Sequence, residues 1–186
     1  ELVVIVAVDA SPSMSLGAAH PKKKLLMSIT ASLLFSAGGD QINTGFLGFA
    51  DRVLTWSPAR RTSGRTWHIL EELWGIDAPV TSTRLLPAVR HLVSSLRTMS
   101  VIVIVSDFLT GDDPFSSSEL RTLAATHDVI AVVIEDPADT ALPPGRGFIR
   151  VRDVETGGET TVALTDRNRR AFAARMSNRR QGIVDA

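Results

Sequence analysis

The chain has 186 residues, with 20 Lys+Arg against 20 Asp+Glu, a formal net charge of zero, 44% hydrophobic residues and no cysteine. That length suits one compact domain with a substantial core. The missing cysteine excludes a disulfide scaffold, thiolate zinc, a Cys nucleophile and iron–sulfur ligation, and the charge balance argues against a dedicated nucleic-acid binder.

No apolar run approaches the roughly 20 residues of a membrane-spanning helix, and no secretory signal is visible. The sequence opens at Glu1 directly in a buried-looking strand. It therefore reads as a piece excised from a longer protein, cytoplasmic in this part, with any membrane anchor lying in the full-length protein.

In chain order, residues 2–8 (LVVIVAV) form the first continuous β-branched run, a pattern that fits a strand covered on both faces of a parallel sheet. Leu26, Ile29, Leu33 and Ala37 then follow helical spacing, with Gly38-Gly39 as a stop. Residues 44–49 and 52–56 read as two strands joined tightly around Ala50-Asp51. Trp67, Leu70 and Trp74 repeat the helical step and are expected in the core, as are Leu85, Val89, Leu92 and Leu96. Residues 101–105 (VIVIV) and 129–134 (VIAVVI) are further buried-strand runs, separated by a helix for which Ser116 and Glu119 have capping-box spacing. Strands alternating with helices imply an α/β fold, a doubly wound and mostly parallel central sheet with helices on both faces.

After Glu135 the texture changes to a Pro/Gly loop, then residues 148–153 and 159–164 flank residues 154–158 (VETGG) as a hairpin. An Arg-rich helix follows, capped by Asp166, with Phe172 and Met176 as its apolar contacts. The expectation is a single domain over 1–186: a core over 1–136, then loop, hairpin and helix over 137–186.

In such a sheet, ligands bind beyond the carboxyl ends of the strands. Three of those ends are polar: Asp9-Ala10-Ser11-Pro12-Ser13-Met14, Ser106-Asp107, and residues 79–83 (PVTST) ahead of a helix. Two carboxylates and several hydroxyls, without imidazole or thiolate, suit a hard divalent cation such as Mg²⁺ or Mn²⁺. Neutral hydroxyls around a metal leave it electrophilic, able to accept an external carboxylate as its last ligand.

At these residues the sequence resembles the von Willebrand factor A domain and its metal-ion-dependent adhesion site. The match is Asp9, Ser11 and Ser13 in VDASPSM, a threonine in the second loop, and Asp107 in VSDF. The resemblance implies that the two serines contact the metal directly, with the threonine or the aspartate alternating between direct and water-bridged contact. Thr83 best matches the threonine because it opens TRLLPAVRHL, immediately ahead of the amphipathic helix; Thr81 is the weaker match, and Thr81 and Ser82 stand where glycines are usual. The stretches GFADRV, SDF and GFIRVRDVETGGETTV look like a bacterial branch commonly encoded beside MoxR-type AAA+ ATPases, often with a membrane-anchored N-terminal part. The implied role is a metal-dependent protein-interaction module whose partner, a MoxR-type AAA+ ATPase by the same resemblance, supplies an Asp or Glu carboxylate.

Blander readings apply elsewhere. Asp112 and Asp113 are expected to cap the next helix near Pro114, Met14 to pack beneath its loop, and Lys22-Lys23-Lys24 to lie on a solvated face. His20, His68, His91 and His127 show no ligand spacing and read as surface or hydrogen-bonded histidines. The six arginines between Arg167 and Arg180 read first as a solvated helix, second as a docking face for an acidic partner or anionic lipid.

Two alternatives to the interaction module remain. One is a metal-assisted phosphohydrolase with Asp9 as nucleophile. Ser11 stands where such enzymes carry a second Asp, and no well-placed base or strand-end lysine is evident. The other is a plain scaffold with an unoccupied metal site. No Gly-rich phosphate-cradling motif is present.

Overall fold

The computed structural model describes residues 2–16, 22–39, 42–61, 65–76, 82–153 and 158–185. Five strands make the central sheet: β1 (Val3–Asp9), β2 (Asn43–Phe49), β3 (Val53–Arg60), β4 (Val101–Ser106) and β5 (Asp128–Val133). Their order is β3-β2-β1-β4-β5, parallel throughout except for β3, which pairs antiparallel with β2 as an edge. β3 runs four residues past the expected Trp56 and takes in Pro58, which an edge strand tolerates because one side of its backbone has no ladder to complete.

Side-chain alternation divides β1 cleanly between two cores. Ile5 and Ala7 join Leu47, Phe49, Ile102 and Ile104 on one face. Two helices cover it: α3 (Leu86–Ser95) through Val89 and Leu92, and α4 (Ser118–Thr126) through Leu120 and Leu123. Val6 and Val8 join Phe46, Val103 and Val105 on the other face, beneath α1 (Lys22–Gly39) and α2 (Arg65–Gly75) through Leu26, Leu34, Ile69 and Leu73. The fold is thus mixed α/β, with a mostly parallel sheet between helices.

Several sequence expectations are corrected. Residues 129–134 are not buried on both faces: Ile130 is 48% exposed, because β5 lies at the edge of the sheet. Trp67 and Trp74 are exposed by 65% and 57%, since α2 turns Ile69, Leu70 and Leu73 inward instead. The helix after β4 is capped by Ser117, whose hydroxyl accepts from the Leu120 N–H, and not by Ser116 or the aspartates. The last helix is capped by Thr165, not Asp166. His91 Nε2 and His127 Nδ1 are buried with no hydrogen-bond partner, so these histidines are packed and not fully satisfied; His20 lies outside the described residues.

Past the sheet come the short α5 (Pro137–Thr140), the antiparallel pair β6 (Phe148–Arg152) and β7 (Glu159–Ala163), and α6 (Asp166–Val184). Of the expected turn at 154–158, residues 154–157 lie outside the described residues, and the Gly158 carbonyl accepts the Asp153 N–H at 2.8 Å. α6 returns to the sheet: Ile183 packs against the α3/α4 core, and Arg180 lies 3.5 Å from Glu135 beyond β5.

Gly45 marks how closely β2 sits against its neighbours. A Cβ there would lie 3.0 Å from backbone atoms of both Ser57 and Ala59 and 2.6 Å from Ile5 Cδ1. Gly45→Ala is therefore expected to cost about 1–3 kcal/mol by overpacking, read as a lower urea midpoint with unchanged slope.

Candidate functional site

The polar strand ends meet at the carboxyl edge of the sheet, and alternation decides which side chains meet there. Asp9 continues the Ile5–Ala7 row and Ser106 continues the Ile102–Ile104 row, so both leave the sheet on the α3/α4 face. The Ser106 hydroxyl accordingly donates to Asp9 Oδ2 at 2.5 Å, while Asp9 Oδ1 accepts the Ser11 N–H at 2.9 Å. Ser11 immediately precedes, and Ser13 stands on, a short 3-10 turn (Pro12–Ser15), whose Pro12 presets its first position. Their hydroxyl oxygens are 3.0 Å apart. Met14 is buried beneath them, as expected.

Asp9 is fully buried, and its carboxyl pKa is pushed up to about 6. Burial is the main cause and the nearby negative charge of Asp107 adds to it; hydrogen bonds from Ser106 and Ser11 pull the other way. A carboxylate in this state is short of positive charge.

Asp107 is differently placed. It continues the Val103–Val105 row toward α1, where Lys22 Nζ donates to its Oδ2 at 2.9 Å. The same ammonium lies 2.5 Å from Asp139 of α5. Lys22 is 4% exposed, so the expectation of a solvated basic run fails at its first residue. Burial alone would lower the Lys22 pKa, but Asp107 and Asp139 outweigh it and hold the pKa above its ordinary value. Arg179 of α6 joins the same electrostatic neighbourhood: burial lowers its pKa, and Asp107 and Asp139 oppose that.

The turn after Asp107 is strained. Phe108 has φ +52°, a left-handed conformation that is uncommon for a bulky side chain. Its N–H donates to Ser106 Oγ, and its buried ring sits 5.8 Å from that of Phe115. Packing and hydrogen bonding thus hold the Ser106-Asp107-Phe108 turn in a costly shape.

Thr83 is fully buried in the loop before α3, and its carbonyl accepts the Gly111 N–H at 2.8 Å. Arg84 N–H donates to Ala50 O, and Ala10 N–H donates to Phe49 O, which ties this loop and the Asp9 loop to the same end of β2. Asp112 accepts from the N–H groups of Leu85 and Leu86, capping α3 and not the helix that follows it in sequence. Asp113 accepts the Ser116 N–H at 3.4 Å. Thr81 lies outside the described residues.

The structure therefore brings Asp9, Ser11 and Ser13 together, adds Ser106, fixes Thr83 through its backbone, and pairs Asp107 with Lys22. Sequence reasoning placed Ser106 at a polar strand end without its bond to Asp9, and missed Lys22, Asp139 and Arg179 as part of the site. Only Ser106 left a signal there, standing one residue before Asp107 at a strand end. Among the described residues no group of three or more His, Cys, Asp or Glu is placed to hold a metal ion. A cation here would depend on hydroxyls and water.

The donor chemistry fits a small hard cation at Asp9, Ser11 and Ser13. Adjacent ligands of an octahedron with bonds of about 2.0–2.1 Å are separated by about 2.8–3.0 Å. The Ser11 and Ser13 hydroxyls hydrogen-bond to each other at 3.0 Å, a separation that also equals such an edge.

The family model described as "Protein of unknown function DUF58" matches residues 1–182. The uncharacterized protein Rv1480 of Mycobacterium tuberculosis and its counterpart Mb1516 of Mycobacterium bovis are each 31% identical over 182 residues, or 94% of this chain. The chain spans 56% of the length of these relatives. Among solved structures, an aerotolerance-related membrane protein from Bacteroides fragilis superposes with TM-score 0.63 at 17% identity, covering 94% of this chain and 87% of that one. The conserved hypothetical protein BatB from Bacteroides thetaiotaomicron gives 0.61 at 16%, covering 94% and 86%. These similarities establish a shared fold. No helix among the described residues is long and apolar enough to cross a membrane.

Proposed function

The chain belongs to the DUF58 family, and from that premise we propose a non-catalytic, metal-dependent protein-interaction module of von Willebrand factor A type. In this reading Mg²⁺ or Mn²⁺ is held by Asp9, Ser11 and Ser13, with Thr83 and Asp107 direct or through water. A partner's Asp or Glu completes the coordination. The observation that carries the reading is a pair of mutually hydrogen-bonded serine hydroxyls, 3.0 Å apart, beside a fully buried carboxylate whose pKa is raised. Such a carboxylate gains more from a cation than an exposed one does. The resemblance in sequence extends the proposal to a MoxR-type AAA+ ATPase as partner, and to a cytoplasmic domain that the full-length protein ties to a membrane.

Calorimetry with Mg²⁺ and Mn²⁺ tests this directly. Binding is expected for the parent protein and lost in Asp9→Ala, while the circular-dichroism spectrum is kept. A MoxR-type ATPase should be retained on the immobilised domain in Mg²⁺ and released by EDTA. Undiminished retention by Asp9→Ala, or in EDTA, would sink the proposal. A domain that binds neither metal would be a scaffold.

A phosphohydrolase reading draws one point from the placement of Lys22 beside Asp107 at a strand end. Against it, Asp9 is 0% exposed with both carboxylate oxygens accepting hydrogen bonds, a poor state for a nucleophile. Mg²⁺-dependent turnover of p-nitrophenyl phosphate that Asp9→Asn abolishes would reverse that judgement.

A further inference from the structure

Beside the candidate metal site lies a cavity of about 130 Å³ that the site chemistry leaves unused. Its apolar lining includes Ala10, Met14, Leu26, Leu73 and Ile76, and its polar lining includes Asp9, Ser11 and Lys23. A cavity of about 150 Å³ lined by aliphatic side chains suffices for a six-carbon ring. This one matches a single aliphatic side chain of four or so carbons.

The rim points to a particular occupant. Of the three lysines that begin α1, Lys22 is taken up by Asp107 and Asp139, which leaves Lys23 and Lys24 as the basic charge at this end of the helix, with no acidic residue in its first turn. Lys23 Nζ donates to Trp74 O at 2.9 Å and stands 5.1 Å over the Trp74 ring, which is itself 57% exposed. Basic charge, an exposed indole and an aliphatic recess adjoining Ser11 together favour an anionic segment with an apolar neighbour.

We infer that the cavity is a specificity pocket of the interaction site, and that the partner carries an aliphatic residue of Leu size next to the carboxylate-bearing Asp or Glu. The inference rests on the metal-dependent reading above. It goes further by naming the sequence chemistry of the partner segment: acidic and aliphatic residues adjacent, with the acid at the metal and the aliphatic side chain against Met14, Leu73 and Ile76.

Blocked tetrapeptides supply the test. Ac-Gly-Glu-Leu-Gly-NH2 and Ac-Gly-Leu-Glu-Gly-NH2 are compared with Ac-Gly-Glu-Gly-Gly-NH2 by NMR titration of the labelled protein in saturating Mg²⁺. The better Leu peptide should bind roughly tenfold tighter than the Gly peptide, the value of burying one aliphatic side chain. Ile76→Trp, which fills the recess, should erase that advantage. Ile76→Ala, which enlarges it, should move the preference toward a Phe peptide. Mg²⁺ affinity, read separately by calorimetry, should be unchanged in both variants. Equal affinities for the Leu and Gly peptides would overturn the inference, as would a Leu advantage that survives Ile76→Trp. A Leu advantage that persists equally in EDTA would leave the pocket standing and remove the metal reading instead.

Discussion

Asp9→Asn is expected to melt about 4–8 °C higher than the parent protein at pH 7 while losing the divalent cation. The carboxyl of Asp9 titrates at about 6 in the fold against 3.8 for the free side chain, chiefly because it is buried. An acid whose pKa is raised by folding holds its proton more tightly in the folded state. Stability therefore falls as pH rises from about 4 to about 6 and stays low above that. The pKa difference corresponds to about 3 kcal/mol at pH 7 without metal. An amide of the same shape removes the charge and keeps an acceptor for the Ser11 N–H, so we expect it to recover about 2 kcal/mol, or 4–8 °C for a domain of this size. At pH 4 the two proteins should melt together, because the native side chain is then neutral as well. The same titration limits the metal: below about pH 6 the Mg²⁺ affinity should drop about tenfold per pH unit, as the proton competes for the carboxylate. Melting curves from pH 4 to 8 with and without Mg²⁺ check both statements. A lower melting point for Asp9→Asn at pH 7 would show that burial does not strain Asp9.

That balance explains how far the site could be read from sequence. Asp9, Ser11 and Ser13 were legible because a continuous β-branched run fixes where the strand ends, and local spacing then sets the turn. Ser106 followed the same logic one strand over, yet its partnership depends on the β1–β4 register, Val8 opposite Val105, which only the folded sheet supplies. Lys22 was misread because a lysine at a helix start is ordinarily solvated. Its burial comes from Asp107, 85 positions away, and from Asp139 on an element of four residues. The two tryptophans failed for a related reason. Helical spacing on α2 supports two stripes, Trp67–Trp74 and Ile69–Leu73, and only packing against the Phe46 side of the sheet chooses the second. β5 misled because an apolar run looks the same whether a strand is central or at the edge, and strand order is not written in hydropathy.

Lys22→Met should be both less stable and tighter for Mg²⁺. In the parent protein one ammonium serves two carboxylates, Asp107 at 2.9 Å and Asp139 at 2.5 Å, with the Asp107 side chain only 2% exposed. Removing the cation strands a buried charge, which costs about 3–5 kcal/mol where burial is complete. Asp139 is 24% exposed and can turn to water, so about 3 kcal/mol is the better expectation. The melting point should fall by about 6–12 °C. Metal binding should move the opposite way. Lys22 is a like charge near the cation's place, and it occupies the one oxygen of Asp107 that the Leu109 N–H does not. Freed of it, Asp107 becomes available as a ligand, and a gain of roughly tenfold in Mg²⁺ affinity is expected, about 1.4 kcal/mol. Saturating Mg²⁺ should then recover more stability in Lys22→Met than in the parent protein. Adding Asp107→Asn removes the stranded charge, so the double variant should regain most of the lost stability and none of the extra affinity. If Lys22→Met is destabilised but binds Mg²⁺ as the parent does, Asp107 lies outside the cation's reach. The cation would then be held by Asp9 and the two serines without it, and Lys22 would be a structural clamp between β4 and α5.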